Sequence, residues 1–178
     1  RPWLTTPDIE RGAPSPAPNR HMPPVERSTD LTLNYELDDF TDPWEERPFL
    51  VLQHGNGRSA RFWYRWVPHL ARHFRIIRPD MRGLGLSRGK LDPARDISLD
   101  LLVEDLLAVL DHAGAENVHF CGESMGGILG LALAARLADR IRTLTLVSTP
   151  VFIEQQLMER YSLGRGSRFA ALQELGFR

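Results

Sequence analysis

A chain of 178 residues is long enough for one core of ordinary size. With 42% apolar residues, 25% charged residues and a formal charge of −1, it is composed as a globular protein, and its global charge gives no reason to expect nucleic acid or a membrane as partner. The single cysteine, Cys121, has no partner for an internal disulfide, and no apolar run reaches the ~20 residues that cross a bilayer; a cytoplasmic chain without a secretory leader is the expectation.

Residues 1–27 hold seven of the thirteen prolines, as in RGAPSPAPNRHMPP. Lacking ladder donors and core side chains, this stretch is expected to be an extended or disordered arm. From residue 31, LTLNYEL alternates apolar and polar residues as a half-buried strand does. Four short apolar runs follow, at 49–55, 74–80, 117–123 and 141–149, each bounded by Gly, Pro, Asn or Asp. Helices are expected between them. SARFWYRWVPHLARH places Phe62, Trp66 and Leu70 on one helical face, with Pro68 as a possible kink. SLDLLVEDLLAVLDHAGA repeats Leu99, Leu102, Leu106 and Leu110, with Ser98 as N-cap and Gly114 near the stop. SMGGILGLALAARLADR is apolar on nearly every side and is expected to be buried.

Strands alternating with helices imply an α/β fold: a doubly wound, mostly parallel sheet with flanking helices, occupying residues 28–150. Residues 151–178 then look like the start of a helical cap. In such sheets ligands bind at the carboxyl ends of the strands. Three unusual segments fall at those ends: HGNGRS, DMRGLGLS and GESMGG.

Gly122-Glu123-Ser124-Met125-Gly126 fits G-x-S-x-G with a strand before and a helix after. A sharp turn there lifts a serine hydroxyl clear of the sheet and needs Gly122 and Gly126 for close packing, so Ser124 is the candidate nucleophile; a serine that merely caps the helix is the alternative. His54-Gly55-Asn56-Gly57 ends the first strongly apolar strand. Its turn can aim the Asn56 amide above the serine, making an oxyanion hole with the amide of Met125. His54 in that turn is more often a loop-fixing group than a base. Asp80 and Arg82 can bond loop backbone in DMRGLGLS, where Gly83 and Gly85 permit tight turning. Its G-x-G lacks the third glycine of a dinucleotide site.

Taken together and in this order, HGNG, DMRGLGLS and GESMGG resemble the α/β-hydrolase superfamily over residues 31–150. Within it they are most similar to the serine-nucleophile branch of 3-oxoadipate enol-lactonases, small-molecule esterases and carbon–carbon bond hydrolases. The resemblance implies a cofactor-free and metal-free serine hydrolase of a small-molecule ester, lactone or C–C bond, with Ser124 as nucleophile and Asn56 and Met125 as oxyanion donors. It also implies a catalytic acid and a histidine late in the chain. His119 precedes Ser124 by five residues on the same strand, roughly 16 Å away along it, and no acid follows directly in STP after residue 147. The acid and histidine are therefore expected beyond Arg178, with these residues inactive alone and the sheet edge at 141–149 left open. Eight arginines and one lysine against one acid between Arg58 and Lys90 allow two readings: Arg58 anchors a substrate carboxylate, with Glu123 beside the serine partly offsetting that field, or the arginines form a solvated face. An acyltransferase or perhydrolase on the same residues, or a non-catalytic binding protein of this fold, remains open. So does a homo-oligomer.

Overall fold

The computed structural model describes residues 19–92 and 95–151. In chain order these form β1 (Asn19–His21), β2 (Val25–Ser28), β3 (Leu31–Leu33), β4 (Tyr35–Asp38), β5 (Phe49–Gln53), a 3-10 helix (Ala60–Trp66), α1 (Val67–Leu70), β6 (Arg75–Pro79), β7 (Arg88–Gly89), α2 (Leu99–His112), β8 (Val118–Glu123), α3 (Met125–Arg136), a second 3-10 turn (Ala138–Arg140) and β9 (Ile141–Val147). The main sheet runs β1-β4-β6-β5-β8-β9. Its four strands β6, β5, β8 and β9 are parallel, while β4 pairs antiparallel with both β1 and β6. A small antiparallel sheet, β2-β3-β7, lies beside it.

Two expectations shift at the amino-terminal side. The arm boundary at residue 27 falls inside β2, because Asn19–His21 and Val25–Ser28 are strands of the two sheets. Pro23 and Pro24, with no N–H to donate, separate β1 in one sheet from β2 in the other. The single strand expected at 31–37 is cut at Asn34 for a similar reason. The Asn34 amide donates to the Ser87 hydroxyl at 2.9 Å and its carbonyl accepts the Asp80 amide at 2.9 Å, so the chain changes sheet there. Residues 1–18 of the expected arm, and the expected cap after residue 151, lie outside the described residues.

The parallel strands present one apolar row to each face, with a period of two. Val51, Ile77, Val118 and Phe120 pack with Leu102, Val103, Leu106, Val109 and Leu110 of α2 and Leu129 and Leu133 of α3. On the other face Leu50, Leu52 and Ile76 meet Trp63, Val67 and Ala71. Helices thus cover both faces, as expected for a doubly wound sheet. The face of the first helical segment differs from the sequence expectation: Ala60, Trp63 and Val67 are buried, whereas Phe62 and Trp66 are exposed. The first seven residues wind as a 3-10 helix, whose tighter three-residue period moves the buried row off the expected 62-66-70 line. Pro68 sits in the first turn of α1, where its missing N–H costs nothing, so it marks the change of winding.

α2 behaves as its sequence directs. The Ser98 hydroxyl accepts the Leu101 amide at 3.2 Å, and Gly114 stops the helix at φ +69°. The amides of Gly114 and Ala115 close onto the carbonyls of Asp111 and Leu110, the paired bonds of a Schellman ending. α3 is buried along one side only, through Gly126, Gly127, Leu129, Gly130 and Leu133. The glycines draw it onto the sheet: a Cβ on Gly130 would lie 2.6 Å from the Phe120 ring. β9 is the last strand of the main sheet among the described residues, and Leu146 and Val147 on it are more than a third exposed. No described helix is long and apolar enough to cross a membrane.

Candidate active site

Three loops gather at the carboxyl ends of β5, β6 and β8, the edge where parallel sheets hold ligands. Ser124 follows β8 directly and begins α3 with φ +54° and ψ −117°, a conformation that L-residues avoid. Its amide donates to the Val147 carbonyl of β9 at 2.9 Å, while its carbonyl accepts the amides of Gly127 and Ile128. Its hydroxyl bonds to no helix amide, so the side chain does not cap the helix. The flanking glycines are steric requirements. A Cβ on Gly122 would meet the Gly126 carbonyl oxygen at 2.4 Å, and one on Gly126 would meet the carbonyl oxygens of Gln53 and His54 at 2.5 and 2.6 Å. The strained serine is the result of a helix seated hard against the ends of two strands.

The loop from His54 to Ala60 is fixed at both ends. His54 is fully buried; its Nδ1 lies 2.7 Å from the Gly55 carbonyl and its Nε2 accepts the Met81 amide at 3.1 Å. Acceptance at Nε2 places the proton on Nδ1, so the ring is neutral and both nitrogens are engaged. Burial pushes its pKa below the ordinary value, against the Gly55 hydrogen bond and the charges of Asp80 and Glu123, which act the other way. His54 thus fixes the loop. At the far end the Ala60 amide donates to Asp80 Oδ1 at 2.7 Å and the Ala60 carbonyl accepts Arg78 Nη1 at 2.9 Å. Asn56, Gly57 and Arg58 stand exposed between these anchors, with Gly57 turning at φ +70°.

Asp80 is the junction of the scaffold. Besides Ala60, it accepts the Asn34 side-chain amide and the Leu86 amide, each at 2.9 Å. A Cβ on Gly85 would strike its carboxylate at 2.2 Å, which explains the second glycine of DMRGLGLS. Arg82 grips Asp105 of α2 through two bonds, 2.5 and 2.7 Å, and donates to the Asp96 carbonyl at 2.8 Å. Asp80 thus bonds loop backbone, and Arg82 reaches a helix carboxylate as well as loop backbone.

Arg58 is placed differently from a free anchor. Its Nε lies 3.4 Å from Glu123 Oε2 and its guanidinium stacks over the Phe62 ring at 4.2 Å. Glu123 Oε2 also accepts the Gly55 amide at 2.9 Å, joining the His54 loop to the serine turn. Sequence reasoning gave Glu123 no such part, and it passed over Arg78 and Thr149. Arg78, 1% exposed, bonds Asp38, Glu36 and the loop; a charged residue inside the apolar run FRIIRPD was the available signal. Thr149 left no signal at all: a Cβ on Gly127 would sit 1.9 Å from its hydroxyl oxygen, so it packs on the first turn of α3. Two further histidines bond elsewhere, His112 to the Tyr35 hydroxyl and His119 to Thr143. No cluster of three metal-ligating residues occurs among the described residues.

A mostly parallel sheet wrapped by helices, with a serine on a strained strand-to-helix turn, defines the α/β class with its candidate site at the carboxyl edge. The sequence profile of the alpha/beta hydrolase fold matches residues 48–174, and the chain belongs to that family. It is 30% identical over 129 residues to 3-oxoadipate enol-lactonase 2 of Acinetobacter baylyi, covering 72% of this chain and 46% of that protein. It is 36% identical over 103 residues to 2-hydroxymuconate semialdehyde hydrolase of a Pseudomonas species, covering 56% and 36%. Among solved structures, a hydrolase from Pseudomonas aeruginosa superimposes with a TM-score of 0.66 at 34% identity, over 80% of this chain and 49% of that one. The chain spans less than half the length of each of these relatives.

Proposed function

We propose that Ser124 is the nucleophile of a hydrolase acting on a small carboxylic ester, a lactone or a carbon–carbon bond beside a carbonyl. The observation that carries this is the backbone of Ser124: φ +54° on the turn from β8 into α3, with the Gly55 backbone packed against its side chain. In an ester, Ser124 Oγ adds to the carbonyl carbon as its proton passes to a base. The carbonyl oxygen becomes an oxyanion, held by the amides of Asn56 and Met125. Collapse expels the alcohol, which takes the proton, and leaves an acyl-serine; water then repeats the addition and releases the acid. The relatives' names, a lactonase and a semialdehyde hydrolase, support a small carbonyl substrate.

A base and its orienting acid complete this scheme, and we place both in chain beyond Arg178. His54, His112 and His119 are engaged elsewhere, and the relatives are about twice as long. The test is a screen of esters and lactones on the protein translated from the full open reading frame, with Ser124→Ala beside it. Activity that vanishes with Ser124→Ala, and a fluorophosphonate adduct mapped to Ser124, support the assignment. Activity that survives the change, or an adduct on another residue, sinks it.

A further inference from the structure

Glu123 raises a physical problem that the proposed chemistry leaves unsolved. Its carboxylate is buried beside Ser124: a Cβ on Gly55 would lie 2.3 Å from Glu123 Oε2 and 3.0 Å from the Ser124 Cβ. A negative charge there opposes the negative charge that grows on a substrate oxygen at the same turn. Yet the position is built for a carboxylate. Oε2 accepts the Gly55 amide at 2.9 Å, one residue before Asn56. The same oxygen faces Arg58 Nε at 3.4 Å. Arg58 is half exposed but held in place by its contact with Phe62. The other groups near the loop are the neutral His54 and Asp80, whose two oxygens are filled by Ala60, Asn34 and Leu86.

We infer that Glu123 is a positioning residue for the oxyanion loop and that Arg58 is its counter-charge. Glu123 ties the Gly55–Asn56 backbone to the serine turn, and Arg58 cancels the field that this tie would impose on the reacting oxygen. The inference rests on Ser124 being the nucleophile. It assigns Arg58 a part in kcat for every substrate, in contrast to an anchor that binds only anionic ones.

The test compares Arg58→Met, Glu123→Gln, Glu123→Ala and the Arg58→Met/Glu123→Gln pair in the full-length protein, with Ser124→Ala as control. Two readouts are taken: the rate of fluorophosphonate labelling, and kcat and KM on p-nitrophenyl acetate and mono-p-nitrophenyl succinate. Arg58→Met is expected to lower labelling and kcat by about tenfold on both esters, with KM unchanged, since it leaves the carboxylate uncompensated. Adding Glu123→Gln restores the rates to within about twofold, because the amide oxygen still accepts the Gly55 N–H and the charge is gone. Glu123→Ala is expected to cost about 10–100-fold by releasing the loop. If Glu123→Ala proves unfolded, the Arg58→Met/Glu123→Gln cycle still decides. A rise in KM for the succinate alone, without rescue by Glu123→Gln, makes Arg58 a substrate anchor and overturns the inference. So does a loss from Arg58→Met that the double variant fails to restore. Rates that depend on Ser124 but ignore Arg58 and Glu123 overturn this inference alone, whereas rates that ignore Ser124 overturn the nucleophile as well.

Discussion

Replacing Asp80 by asparagine measures how far the site scaffold depends on one carboxylate. Asp80 is 4% exposed and accepts three hydrogen bonds: the Ala60 amide on Oδ1, and the Asn34 side chain and Leu86 amide on Oδ2. Asparagine keeps one oxygen, so its NH2 must face at least one of these donors. The less costly orientation keeps Asn34 and Leu86 and turns the NH2 toward the Ala60 amide. Losing one bond to a charged acceptor, with its donor left buried, costs about 2–3 kcal/mol. Asp80→Ala strips all three donors of their acceptor and is expected to cost about 4–6 kcal/mol, a large share of the ~5–15 kcal/mol that holds an ordinary domain together. Urea unfolding followed by circular dichroism reads both values, with an unchanged slope showing that stability alone has moved. The reasoning is refuted if Asp80→Asn costs less than about 0.5 kcal/mol, or if Asp80→Ala costs no more than Asp80→Asn.

Four further outcomes are expected. His54 has a folded pKa below its ordinary value of 6.5 because it is buried, so between those two values the unfolded chain takes up a proton that the folded chain refuses. Stability is then full above pH 6.5 and falls as the pH drops toward the folded value; urea midpoints from pH 7.5 to 5 should show this, with a flatter profile for His54→Gln. Gly126→Ala forces a methyl against two backbone carbonyls that cannot swing away and should cost about 1–3 kcal/mol. Gly57→Ala meets nothing within 4 Å, so its cost is set by φ +70° alone at about 1–2 kcal/mol, and Gly57→Asn should recover part of it in the same melts. Ser124→Gly removes the side chain from a strained backbone and should raise stability by about 1 kcal/mol while abolishing fluorophosphonate labelling; a lower melting temperature would show the turn to be unstrained.

The sequence alone determined the elements whose signals are local. The α2 helix carries its own cap and stop at Ser98 and Gly114, and the parallel strands announce themselves as short apolar runs between turn residues. It also singled out a glycine-flanked serine between strand and helix, which the fold holds on a strained turn at the carboxyl edge. Only the tertiary structure decided the rest. The split of 31–37 at Asn34 depends on Ser87 and Asp80, residues 53 and 46 positions away. The buried row of the 60–70 segment followed 3-10 winding against the sheet, and an assumed α-helical period could not give it. The sequence set Glu123 only loosely against the arginine field, and folding brings it to within 3.4 Å of Arg58. Period and turn chemistry act over a few residues and can be read from the string. The partner of a buried charge is set by which strands become neighbours, and that order, β6-β5-β8, belongs to the folded sheet.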